Sequence, residues 1–328
     1  MCNEHASIKG AYSGYPALNI CLCLLLLVLA GLLVPANNAY GLRLTHVKHL
    51  FDLTQSFKQP SDVAVSHEGQ IYVVDGVNNK IKVFNQNGKF SFSFGQKGSG
   101  NGEFNFPLGI CVDRTGRVYV ADSGNSRVQA FTTAGNYLGQ LKLQSKNGTA
   151  PDPTDVAVDH NGRTLYAIDN NNHNVHAYNL SNGRLTGIYG SPGEGNREFR
   201  YPFFISLDSE DYLYIVDVIN TRVQVLNPEG LYVASIGKWG VEKGSFFRPK
   251  GVALDAKDRI YVSDSYMGVI QVFDPEGVFY STIGDPVTNS VRKFTTPTGI
   301  YIDDNNRLYV VEMFAEKVSV YQIEKDTE

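Results

Sequence analysis

FRPKGVALDAKDRIYVSDSYMGVIQVFDPEG, running from Phe247 to Gly277, alternates apolar and polar residues between Gly, Pro and Asp punctuation. Such a phrase suits short antiparallel strands joined by tight turns. Its value lies in its recurrence. Aligned on Tyr-x-x-Asp, copies fall at Tyr72, Tyr119, Tyr166, Tyr214, Tyr261 and Tyr309, the last ending in Glu312 instead of Asp, at spacings of 47, 47, 48, 47 and 48 residues. A proline opens each copy, at Pro60, Pro107, Pro153, Pro202, Pro249 and Pro297.

Each copy reads as four strands. An apolar trio such as Val252-Ala253-Leu254 follows the proline, a polar turn such as Asp113 to Gly116 leads to the Tyr-bearing strand, and two more strands follow, such as Val223 to Leu226 and Tyr232 to Ile236. Four strands at a period near 47 residues make a propeller blade. The expected fold is all-β: a six-bladed β-propeller of four-stranded antiparallel blades over 44–326, with repeats at roughly 57–103, 104–149, 150–198, 199–245, 246–293 and 294–326 plus 44–56. The sixth copy stops after three strands, so residues 47–53 are expected to supply the missing fourth and close the ring. Small residues at the middle of the first strands (Ala64, Cys111, Ala157, Ser206, Ala253) fit the crowded axis, and Tyr301 is the exception that would partly plug it.

The N-terminus differs in kind. Ile20 to Val34 is an unbroken apolar run of 15, followed by Pro35 and the stretch Ala36 to Ala39. Residues 1–40 therefore read as a cleaved export signal or an uncleaved membrane anchor, and either places the rest outside the cytoplasm, periplasmic or secreted. Cys2, Cys21 and Cys23 lie in that segment, leaving Cys111 alone in the body as a small core residue without an intrachain partner. A net charge of −4 and a pI near 6.0 give no electrostatic footprint for nucleic acid.

Asp122-Ser-Gly-Asn125-Ser-Arg127-Val128, with Asp75-x-x-Asn78-x-Lys80 and Asp217-x-x-Asn220-x-Arg222 and the Gly-rich linker GQKGSGNGEFNFP, resembles the signature of NHL-repeat propellers. The resemblance covers Lys48 to Ile323 and implies a shared fold with divergent functions. The Asp and Asn suit side-chain bonds to the backbone of a tight turn, and the base suits pairing with the Asp. Repetition in most blades argues for scaffold, because a catalytic group is needed once.

Function is therefore sought where copies differ. Loops joining second to third strands, and linkers into each blade, emerge on one face. Blades one to three carry polar or small residues there, whereas blades four to six carry Val218, Ile219, Tyr266, Met267, Met313 and Phe314, with Tyr201, Phe203, Phe204 and the only Trp, Trp239, in the linkers. These ten residues are the candidate partner site, either as an exposed apolar surface or as a plug of the channel mouth. Enzyme signals are thin. No His trio repeats at equivalent depth, and Asp62 and Asp155 could approach the axis, yet Gly109, Phe204, Gly251 and Gly299 stand at the matching positions. No catalytic residue, metal or cofactor is expected. The expectation is a monomeric scaffold binding another extracytoplasmic protein or peptide, touching membrane only through its N-terminal segment. The alternative is a propeller hydrolase or lyase, similar to the amidating lyases or strictosidine synthase, acting at an axial pocket on the same face.

Overall fold

Each repeat folds into four antiparallel strands because its alternating side chains bury one face of a strand against each neighbouring blade. Blade one comprises Pro60–Val65, Ile71–Asp75, Lys80–Phe84 and Phe90–Phe94, paired in that order. Blades two, three and four repeat the arrangement from Pro107–Val112, Pro153–Val158 and Pro202–Leu207 as their innermost strands, each a separate four-stranded sheet. The computed structural model describes residues 42–145 and 148–324, and only two three-residue 3-10 turns break the run of strands among them. The expected leader over 1–40 lies outside the described residues. No helix among the described residues is long and apolar enough to cross a membrane.

Blade six is completed from the N-terminal side. Leu44–Leu53 pairs antiparallel with Lys317–Ile323, from Val47 opposite Ile323 to Leu53 opposite Val318. The strand starts three residues earlier than the expected 47–53. Leu44, Thr45 and His46 run parallel to Thr282, Ile283 and Gly284 on the outer edge of blade five. One segment thereby closes the ring and ties blades five and six into a continuous sheet, removing two open edges.

The core is divided among the interfaces between blades. Ile81, Phe104, Val118 and Phe131 pack between blades one and two, and Leu53, Val63, Tyr309 and Val320 join the last blade to the first. Equivalent clusters fill the remaining interfaces.

The repeated polar residues brace this frame. The last residue of every second strand accepts a backbone N–H from the linker 17 positions earlier: Asp75 from Lys58 (2.8 Å), Asp122 from Asn105 (2.7 Å), Asp169 from Asp152 (3.0 Å), Asp217 from Arg200 (2.8 Å), Asp264 from Phe247 (2.6 Å) and Glu312 from Thr295 (2.7 Å). Asn78, Asn125, Asn172 and Asn220 donate to the other oxygen of the same carboxylates. Arg127 and Arg222 pair with Asp122 (2.7 Å) and Asp217 (3.0 Å) while donating to carbonyls of the Gly-rich linkers. The scaffold reading of Asp-x-x-Asn-x-Arg fits this geometry, with one correction. In blade one the base is Lys82, 2.6 Å from Asp75, and not Lys80, whose side chain is exposed. The two lysines share a face of the strand, and Lys82 occupies the inner position that Gln129 and Gln224 hold elsewhere.

The tyrosine of Tyr-x-x-Asp has its own task. Tyr119, Tyr214, Tyr261 and Tyr309 donate to Asp113, Asp208, Asp255 and Asp303, whose remaining oxygens cap the turn after the first strand.

Candidate functional site

All six first strands carry a bulge immediately after the opening proline, with the register slipping between Pro60 and Val63 and at every equivalent place. Proline tolerates this position because the first residue of a strand need not donate. A bulge re-aims side chains and frees an amide. Here the freed positions are those nearest the axis.

At the second position after the proline, Asp62 and Asp155 turn inward and are buried. Asp62 accepts the Ile110 N–H at 2.9 Å, and Asp155 accepts those of Val156 (2.8 Å) and Ile205 (2.9 Å). Each carboxyl thus satisfies an amide released by the next blade's bulge. The two carboxyls are buried near enough to one another for each to feel the other's charge. Burial pushes Asp62 up to about 7 against the pull of its amide donors. Burial, and then the Asp62 charge, holds Asp155 well above the usual carboxylate range. Glycine is required opposite them: a Cβ on Gly299 would sit 2.3 Å from Asp62 Oδ1, and one on Gly109 would sit 2.4 Å from Asp155 Oδ1.

These carboxyls and Phe204 form the closed end of an axial cavity of about 740 Å³. Ala64, Cys111, Ala157, Ser206, Ala253 and Tyr301 line its walls, and the Tyr301 hydroxyl reaches the Val65 carbonyl at 3.4 Å. Burial and then the Asp155, Asp113 and Asp62 carboxylates push the Cys111 thiol well up, which leaves it a poor nucleophile. The mouth is framed by His67, Asp113, Asp159, Asp208, Asp255 and Asp303, all in turns from first to second strands. The cavity therefore opens on the face opposite the aromatic loops, which corrects the expectation of an axial pocket on the same face. Among the described residues no group of three His, Cys, Asp or Glu side chains is placed to hold a metal.

The ten candidate partner residues divide by burial. Tyr201, Ile219, Trp239, Tyr266 and Phe314 are exposed, from 51% for Tyr201 to 72% for Trp239. Phe203, Met267 and Met313 are half-buried. Phe204 and Val218 are buried in the cluster between blades four and five and cannot contact a partner. Surface and plug both exist: Phe204 seals the axis, and the aromatic tips above it face solvent. Tyr266 stacks on Phe247 at 4.1 Å, and Tyr201 sits edge-on to His173 at 4.7 Å, its amide donating to His173 Nδ1 (3.0 Å). Burial lowers the His173 pKa, so it accepts that bond as a neutral ring.

A family profile described as 6-bladed beta-propeller matches residues 54–156 and 248–327, more than half of the chain. The chain belongs to this 6-bladed beta-propeller family. The comparison with curated proteins gives no match. Among solved structures the propeller is similar to a streptogramin B lyase (14% identity, 84% of this chain and 97% of that one, TM-score 0.60). It is also similar to a structural genomics protein of unknown function from Bacteroides thetaiotaomicron (17%, 85% and 76%, 0.63) and to a gluconolactonase from Xanthomonas campestris (13%, 83% and 89%, 0.64). At these identities the likeness shows the fold alone.

Four exposed apolar residues in the loops and linkers of the propeller's aromatic face escaped the sequence reading: Val77 (41% exposed), Phe106 (45%), Val241 (63%) and Val287 (91%). The signal was available. Val77 stands where Ile219 stands in blade four, and Phe106 precedes its proline as Tyr201 does. The apolar face thus extends from blades four to six into blades one and two.

Proposed function

We propose that the propeller is an exported or membrane-anchored scaffold that binds another extracytoplasmic protein or peptide through the face carrying Tyr201, Ile219, Trp239, Tyr266 and Phe314. The observation that carries this reading is that five large aromatic side chains, Phe106, Tyr201, Trp239, Tyr266 and Phe314, stand exposed on one face. The Asp-x-x-Asn-x-Arg loops support placing the repeats with the NHL type, and the apolar run Ile20 to Val34 supports export. The test is capture of partners from the host by the full chain beside a Tyr201→Ser, Tyr266→Ser, Phe314→Ser variant, with circular dichroism confirming that both fold. A partner held by the parent and released by the variant is expected; equal retention by both overturns the reading.

A second reading rests on the Asp62–Asp155 pair. A protonated carboxyl at the end of a 740 Å³ cavity is equipment for general-acid chemistry on a small substrate. The pH dependence of an Asp62→Asn variant tests its premise, a buried carboxyl that holds its proton near neutral pH.

A further inference from the structure

The residues directly after the six prolines, Ser61, Leu108, Thr154, Phe203, Lys250 and Thr298, ring the axis on the outer side of the Asp62–Asp155–Phe204 seal, at the centre of the aromatic face. Their hydroxyls bind neighbouring carbonyls around the ring: Ser61 donates to Leu108 O (2.6 Å), Thr154 to Phe203 O (2.8 Å) and Thr298 to Ser61 O (3.1 Å). Lys250 alone is charged. Its Nζ lies 4.0 Å from the centre of the Phe203 ring and makes no hydrogen bond or ion pair with any described residue. Burial, and then the charge of Arg248, pull its pKa down to about 8, so at neutral pH it remains an ammonium, half-buried and without an anion.

A half-buried cation with only an aromatic face beside it has lost part of its hydration without gaining an acceptor, and an approaching carboxylate supplies both the charge balance and the missing acceptor. Arg248, two residues away and exposed, adds a second positive charge. The apolar tips lie around this centre, Phe106 in blade two, Tyr201 in the linker to blade four, Tyr266 in blade five and Phe314 in blade six. A chain crossing the face would place apolar residues on either side of a central acid.

We propose that this ring binds the side-chain carboxylate of an acidic residue flanked by apolar or aromatic residues in a partner peptide, with Lys250 Nζ as the principal donor and Arg248 beside it. The proposal rests on the reading of this face as the partner surface and names the chemistry of what it takes. Ligand-observed NMR titration of the full chain tests it with three probes: a capped Phe-Glu-Phe tripeptide, its capped Phe-Gln-Phe counterpart, and Phe-Gln-Phe with a free C-terminal carboxylate. Losing one charge-assisted bond weakens binding by roughly 10-fold or more. The capped acid is expected to bind at least about 10-fold tighter than the capped amide, with the preference abolished by Lys250→Met and kept by Lys250→Arg. Equal affinity for acid and amide, a preference that survives Lys250→Met, or no saturable binding of any probe overturns the proposal. Tighter binding of the free C-terminus than of the capped acid overturns the assignment to an acidic side chain. A partner lost by the surface variant but unaffected by Lys250→Met leaves the scaffold reading standing and removes only this one.

Discussion

Asp62→Asn tests the proton held at the axis, because asparagine keeps the shape and the acceptor for the Ile110 N–H while removing the titratable group. Burial raises Asp62 from 3.8 in the unfolded chain to about 7 in the folded one. Between these values the folded state binds the extra proton. Stability is therefore highest below about pH 4 and falls as pH rises, levelling off above about pH 7. At up to 1.36 kcal/mol per pH unit, the interval from pH 5 to pH 7 costs the parent about 2 kcal/mol through this one group. Asp155, also raised by burial, adds to the slope in the same direction, and in the variant it loses the repulsion of its neighbour. Urea unfolding of parent and variant at pH 5 and pH 8 reads the effect as a difference, in which histidines and surface carboxylates cancel. The parent is expected to lose about 2–3 kcal/mol more than the variant over that span. Parallel pH profiles would refute the reasoning, since they would mean that Asp62 ionises in the folded protein at little cost.

The blade anchors and the ring closure give two further predictions. Asp122→Ala strands Arg127, a guanidinium only 3% exposed, and is expected to cost roughly 3–5 kcal/mol. Asp264→Ala, where Val269 takes the place of the arginine and backbone amides are the donors, is expected to cost roughly 1–3 kcal/mol; denaturant melts of the pair should preserve that order. Deleting residues 42–53 exposes the edge of Lys317–Ile323 and parts blade five from blade six. The expected result is loss of cooperative unfolding or self-association through the open edge, read by calorimetry and size-exclusion chromatography.

Much of the frame was legible because each blade is built from contacts close in sequence. The period near 47 residues, the opening prolines and the truncated sixth copy announced both the blade count and the closing strand. The Asp-x-x-Asn-x-Arg loop announced its bracing role, since its Asp and Asn lie three residues apart in one turn. Even so, the motif points to Lys80 for a base that Lys82 provides: two residues on one strand face have equal claims in the sequence, and only the depth of the neighbouring linker separates them. In the sequence Phe204 and Val218 are indistinguishable from Tyr201 and Ile219 for the same reason. Adjacent apolar residues in a loop read alike, and whether one points to solvent or into the next blade depends on that blade's position.

The amino-acid sequence by itself determined a six-bladed ring of four-stranded sheets, its closure from the N-terminal side and a face rich in apolar loops, because alternation and repeat spacing are local records of burial. The tertiary structure alone decided what happens at the axis. Asp62 and Asp155 stand 93 positions apart in the sequence, and they meet as buried, proton-holding carboxyls only because bulges turn both inward and glycines at 109 and 299 leave them room. Lys250 comes to rest on Phe203, a blade away, without an anion, because ring closure places side chains from different blades together after each blade's own pattern is already satisfied.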